Sequence, residues 1–118
     1  VSVGNVHVML KGAQELNLDH LAAIRREVDV PFDLHGGSGI GADSLGAAIR
    51  LGVAKVCYGT YVKQRYLAAL RRTLGDKEGN PHKRLGFGGN EDVMVAGRRA
   101  VREAVLERIG LLGCCGMA

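Results

Sequence analysis

The apolar positions of this chain follow two rhythms. Residues 1–9, 30–34 and 53–58 are β-branched and apolar for most of their length, and each run ends in or beside a glycine or small polar residue, which predicts three short strands. Between the first two runs, Leu18, Leu21, Ala22, Ile24 and Val28 recur at helical spacing, with Asn17 placed to cap the start and Pro31 to forbid continuation. Between the second and third, Leu45, Ala48, Ile49 and Leu51 form another stripe, for which Asp43 supplies an acidic first turn and Gly52 a left-handed exit. Val62, Tyr66, Leu67, Leu70 and Leu74 predict a third helix ending at Gly75. Residues 76–89, polar and glycine-rich with Pro81 inside, predict a loop. A last helix is predicted from a cap at Asn90, with Glu91 and Asp92 at its positive end, Val101, Val105, Ile109 and Leu112 on one face, and Gly113 as its stop.

The predicted order is β-α-β-α-β-α-loop-α. Strands returned by helical crossovers pair in parallel, which places the chain in the α/β class. Three such strands leave two open edges, and a complete (β/α)8 TIM barrel takes about 250 residues, roughly double the 118 of this chain. The expectation is one partial domain over residues 1–118: the last three strands of a TIM barrel plus a C-terminal helix. Val1 in place of Met, with neither a basic leader nor a small-residue cleavage site in residues 1–10, fits a chain that begins inside a longer one.

Composition narrows the partners. With 47% hydrophobic and 24% charged residues the chain reads as globular, and no run approaches the roughly 18 apolar residues of a membrane span, so no membrane role is expected. Cys57, Cys114 and Cys115 include no C-x-x-C pair, which suggests reduced thiols in a cytoplasmic protein, the adjacent pair lying in a tail after the last helix. The formal charge of +4 is modest, and Arg71-Arg72, Lys83-Arg84 and Arg98-Arg99 sit among acidic residues without interleaved aromatics. That is the pattern of solvated helix faces, not of a nucleic-acid footprint. A phosphorylated small molecule suits such a balance better than a polyanion.

In parallel α/β proteins the ligand lies beyond the carboxyl ends of the strands. His7 comes near the end of the first predicted strand and His35 directly follows the second, so two imidazoles face one cleft; His20 and His82 fall on a helix and in the loop. Imidazole suits zinc, and a catalytic zinc takes about three protein ligands with one position open. This chain offers at most two, and each can equally be a hydrogen-bonded strand-end histidine. Gly36-Gly37-Ser38-Gly39 then offers backbone N–H groups and a hydroxyl to an anion at the start of a helix, although a plain tight connection has the same composition. The third strand ends Cys57-Tyr58-Gly59-Thr60, where Gly59 permits close approach and Thr60 gives a second hydroxyl or simply a helix cap.

Taken together, Gly4-Asn5-Val6-His7, Val30-Pro31, Leu34-His35-Gly36-Gly37-Ser38-Gly39-Ile40, Ala54-Lys55-Val56 and Gly59-Thr60 closely resemble the C-terminal part of class II ketose-bisphosphate aldolases. These are the zinc-dependent fructose- and tagatose-bisphosphate aldolases, and the resemblance covers essentially the whole chain. It implies a (β/α)8 barrel that reversibly cleaves a ketose 1,6-bisphosphate to dihydroxyacetone phosphate and glyceraldehyde 3-phosphate. It also implies that His7 and His35 are two of three zinc ligands. Gly36, Gly37 and Ser38, with Gly59 and Thr60, would hold the dihydroxyacetone phosphate moiety; Val8 and Cys57 would face that substrate, and a monovalent cation is a further expected cofactor.

Zinc would act as a Lewis acid on the ketone oxygen while the cradle fixes the reacting carbons. The family's general acid/base, an aspartate beside the third histidine ligand, has no counterpart among the Asp and Glu residues of this chain. A homo-oligomeric full-length protein in the cytoplasm is expected. The chain departs from the family at Val8, where glycine is usual, at Cys57, where asparagine is usual, and at Tyr61, where an acidic residue is common. After Pro81 it has His82, Lys83 and Arg84 where the family often has arginine. An amide both donates and accepts, whereas a thiol does neither well. Two functions therefore compete: the C-terminal part of a zinc aldolase, inactive on its own, and a non-catalytic truncated or diverged homologue serving as a phosphate-binding or oligomerising module.

Overall fold

In the computed structural model, which describes residues 1–75 and 79–117, regular structure begins where Asn17 predicts it. The Asn17 side chain accepts from the His20 amide at 2.9 Å and caps α1 (Leu18–Glu27). Beyond Pro31, β1 (Phe32–Leu34) leads through a 3-10 turn at Gly37–Gly39 into α2 (Ala42–Arg50), then into β2 (Val53–Val56). Asp43 lies in the first turn of α2, and Gly52, at φ 103°, makes the left-handed exit. The remaining elements are α3 (Thr60–Leu74), the short α4 (Pro81–Arg84) and α5 (Val93–Leu111). The chain divides into two compact units, Val1–Thr60 and Tyr61–Ala118.

In the first unit β1 and β2 are parallel, as helical crossover requires, with register Phe32↔Val53, Asp33↔Lys55 and Leu34↔Val56. The step from Val53 to Lys55 passes over Ala54, a register shift of one residue. Phe32 and Leu34 are buried and Asp33 between them faces the other way, the period of two that a strand imposes. Leu21 from α1, Leu34 from β1 and Leu45 from α2 are fully buried and form the centre of this core. Arg25 closes its lower end by donating to the Val28 and Val30 carbonyls, pairing with Asp29 at 2.8 Å and lying over the Phe32 ring.

The first predicted strand, residues 1–9, does not form. Gly4 at φ 95° and Val8 at φ 60° turn the chain out of extended conformation, and Asn5 engages the backbone in place of a ladder. The Val3 amide donates to Asn5 Oδ1 at 2.7 Å, and Asn5 Nδ2 donates to the His35 carbonyl at 3.1 Å. Among the described residues the sheet thus has two strands rather than three, with an isolated parallel bridge between Gln14 and Ile40.

The second unit corrects three further expectations. The predicted apolar face of the last helix is not its buried face: Gly97, Ala100 and Ala104 are buried, and Val105 is exposed. Gly97 stands so close to the Tyr66 ring and Leu70 of α3 that a Cβ there would collide with both. Small side chains, not branched ones, satisfy that contact. The cap of α5 is Asp92 rather than Asn90; its buried carboxylate accepts from the Gly88 and Met94 amides at 2.9 Å each. Those backbone N–H groups hold the Asp92 carboxyl below the usual range, and Asn90 instead accepts from Arg99 at 3.0 Å. The predicted loop contains α4, capped by Asn80 accepting from the His82 amide; residues 76–78 of that loop lie outside the described residues. Tyr61 donates to Glu107, which also pairs with Arg65 at 3.2 Å and Arg108 at 2.6 Å. Gly113, at φ 71°, follows α5, and Cys114 and Cys115 beyond it are exposed. Among the described residues no helix is long and apolar enough to cross a membrane.

Candidate metal and substrate site

Every residue that the sequence assigned to chemistry lies within the first unit. β1 ends at Leu34 and hands the chain to His35; β2 ends at Val56 and hands it to Cys57. The strand period puts Asp33 and His35 on one face of the first strand, and Lys55 and Cys57 on one face of the second. The Cys57 amide donates to the Leu34 carbonyl at 2.9 Å and the Gly37 amide to the Cys57 carbonyl at 3.0 Å, which fixes the two strand ends against each other.

His7 and His35 come together although no first strand carries His7. Their rings stack with centroids 5.4 Å apart and planes inclined by 22°. Beside them, Asp33 Oδ2 accepts from Lys55 Nζ at 2.8 Å and lies 3.5 Å from His35 Nε2, while Oδ1 accepts from Cys57 Sγ at 3.5 Å. The Lys55 bond holds the Asp33 carboxyl below the usual range, and Asp33 in turn pushes the Lys55 ammonium above its own. Sequence reasoning passed over Asp33 and gave Lys55 no role. The available signal was a charged residue inside a short apolar strand, two positions before a histidine already singled out.

The glycine run has a packing reason of its own. Gly36 sits at φ 71°, and a Cβ there would come within 2.6 Å of the Val6 carbonyl oxygen; one on Gly39 would come within 2.8 Å of Met9 Sδ. Gly36 and Gly39 thus let residues 6–9 lie against the strand end. The Gly37 amide is engaged by Cys57 and the Gly39 amide by Gly36 at 3.1 Å, with half-buried Ser38 between them at the approach to α2. Exposed Gly59 precedes α3, and Thr60 is the first residue of that helix. Val8 is 70% exposed at a φ unusual for a branched residue. Among the described residues, the hydrogen bonds and ion pairs around the histidine pair involve neither Val8, Gly59 nor Thr60.

Imidazole nitrogen is a donor type that suits zinc, so the chemistry of His7 and His35, whose ring centroids stand 5.4 Å apart, fits that metal. A cleft of about 440 Å³ opens at the other end of the strands, lined by Arg25, Asp29, Val30 and Pro31. It gathers no imidazole or thiol, and parallel sheets bind ligands at the opposite, carboxyl ends.

Two parallel strands joined through a helix, with imidazoles and a thiol at their carboxyl ends, define a chain of the α/β class. The chain belongs to the class-II fructose-bisphosphate aldolase family, whose model matches residues 1–117. It is 33% identical over 118 residues to the "uncharacterized protein YdjI" of Escherichia coli (strain K12), covering all of this chain and 38% of that protein. It also superposes on the crystal structure of the YdjI aldolase from Escherichia coli K12 with a TM-score of 0.77 and 30% identity, covering all of this chain and 39% of that one. The chain therefore spans about two-fifths of the length of the relative it matches.

Proposed function

We propose that the chain is the C-terminal part of a zinc-dependent class II aldolase, contributing the last units of a (β/α)8 barrel. The reaction is reversible aldol cleavage of a ketose 1,6-bisphosphate, fructose or tagatose, to dihydroxyacetone phosphate and glyceraldehyde 3-phosphate. The observation that carries this reading is the stacked His7 and His35 pair in a chain matched end to end by the aldolase family. When bound, zinc supplies Lewis-acid polarisation of the ketone oxygen. His7 and His35 hold it through neutral imidazoles. The turn at Gly36, Gly37 and Ser38 before α2, with Gly59 and Thr60 at the start of α3, receives the phosphate and fixes the reacting carbons. The proton-transferring acid and the third histidine come from outside this chain. The remaining expectations belong to the same proposal: a phosphorylated sugar as partner rather than nucleic acid or membrane, a cytoplasmic homo-oligomer, and a monovalent cation near the phosphate.

The test is zinc stoichiometry and aldol cleavage by the full-length protein, beside His35→Ala. Zinc binding and cleavage in the parent, both lost in the variant, are the expected results. Cys57 hydrogen-bonded to Asp33, in place of an amide turned to substrate, favours the second reading, a non-catalytic homologue kept for phosphate binding or oligomerisation. Zinc binding without cleavage of either sugar bisphosphate would support that second reading, and a parent without zinc would sink the first.

A further inference from the structure

The register that pairs Asp33 with Lys55 sets a charged layer one step before the chemistry. Side chains two residues apart on a strand share a face, so Asp33 lies below His35 and Lys55 below Cys57 at the carboxyl ends of β1 and β2. The Asp33 carboxylate ties the two strands together there. Its Oδ2 accepts from Lys55 Nζ at 2.8 Å, and its Oδ1 accepts from Cys57 Sγ at 3.5 Å. Oδ2 also faces His35 Nε2 at 3.5 Å, about 0.5 Å beyond an ordinary N–H···O hydrogen bond, a gap that a small rotation of either short side chain closes. Lys55 holds the carboxyl below its usual range, so Asp33 stays an acceptor. The Leu34–Cys57 and Cys57–Gly37 hydrogen bonds fix the backbone that carries these groups.

We propose that Asp33 is a positioning residue for His35: its carboxylate accepts from Nε2–H, fixes the ring and leaves Nδ1 for the ion, while Lys55 holds the carboxylate in place. This deepens the aldolase reading and rests on it for His35 as a zinc ligand. A histidine that holds a metal through one nitrogen commonly donates its other N–H to a carboxylate, which sets the tautomer and makes the ligating nitrogen more basic. Asp33 is therefore not itself a ligand. The ring of His7, stacked on that of His35, limits rotation from a second side. Asp33 and Lys55 contribute differently, because only the carboxylate faces the imidazole and the ammonium acts through it. Losing either one removes the same cross-strand ion pair, but only the loss of Asp33 leaves His35 without its acceptor. With its side chains 38% and 67% exposed, the pair adds little to the stability of the fold.

Zinc titration of the metal-free full-length protein in competition with a chromophoric chelator, with Asp33→Asn and Lys55→Met compared side by side, tests the proposal. Asp33→Asn is expected to bind zinc roughly tenfold or more weakly, whereas Lys55→Met, which keeps the carboxylate, changes the affinity far less. Equal weakening in the two variants would overturn the proposal, since an ion pair that serves only the fold is lost equally from either side. Unchanged affinity in Asp33→Asn would overturn it as well and leave a histidine-held zinc intact. A second readout needs neither variant nor metal: a nitrogen–proton correlation spectrum of the histidine rings, recorded where the imidazole is neutral. The expected His35 proton is on Nε2. A proton on Nδ1 would overturn the proposal even if a variant fails to fold, because Nε2 would then have nothing to donate to Asp33. Failure of the unsubstituted protein to bind zinc would overturn this proposal and the zinc aldolase reading together.

Discussion

A methyl group added at Gly36 would press on the Val6 carbonyl oxygen from a backbone φ of 71° that side chains rarely adopt. Gly36→Ala is accordingly expected to cost about 1–3 kcal/mol and to move residues 6–7 away from His35. Urea unfolding reads the first effect and zinc affinity the second; a variant as stable as the parent would mean that the turn relaxes freely. His35 and the glycines after it were legible because strand, histidine and glycine run occur in one uninterrupted stretch of sequence. Asp33 was not, since a charged residue in a strand reads as the solvent side of an alternation until the opposite strand brings a thiol and a lysine to the same face. The left-handed backbone of Val8 was also hidden, because β-branching argues for extended structure.

Helix α5 offers a paired test at the scale of the element. Alanine is favoured over glycine by about 1 kcal/mol in an exposed helix interior, and at Gly110 a Cβ meets nothing within 4 Å, so Gly110→Ala should stabilise by up to that amount. Gly97→Ala should reverse the sign and cost about 1–3 kcal/mol, because the added carbon overlaps Tyr66 and Leu70. Equal shifts in the two unfolding midpoints would remove the packing argument. The same helix shows why periodicity misled: Val101, Val105 and Ile109 make the more hydrophobic stripe, yet the tight contact selects glycine and alanine. Its start was ambiguous for a related reason. Asn90 and Asp92 are both good caps, and only the two amides that Asp92 collects distinguish them. The helices were otherwise legible from their stripes and stops, while the segment before Met9 was misread, since a β-branched run carries no record of whether a partner strand pairs with it.

Across the whole molecule, three carboxylates, Asp33 and Asp92 and Glu107, are held below their ordinary values by a lysine, by backbone amides and by Tyr61 with Arg108 respectively. A lowered folded value means stability that is present above the ordinary carboxylate range and lost as pH falls through the folded value. The thermal midpoint should therefore be nearly flat between about pH 7 and 5 and fall below about pH 4, with Asp92→Asn flattening the fall. Lys55 and Tyr61, both raised, act at the alkaline end, where their contribution is lost as pH climbs. The parallel α/β order was legible at this scale because crossover helices leave no other pairing. The number of strands was not, because pairing is decided between segments and not within one. The step over Ala54 bears on evolutionary tolerance to changes of length. Deleting Ala54 leaves Phe32, Asp33 and Leu34 facing the same partners, whereas an insertion or deletion between Lys55 and Cys57 swings the thiol to the opposite side of the sheet. Gaps in this strand are survivable at position 54 and ruinous two residues later.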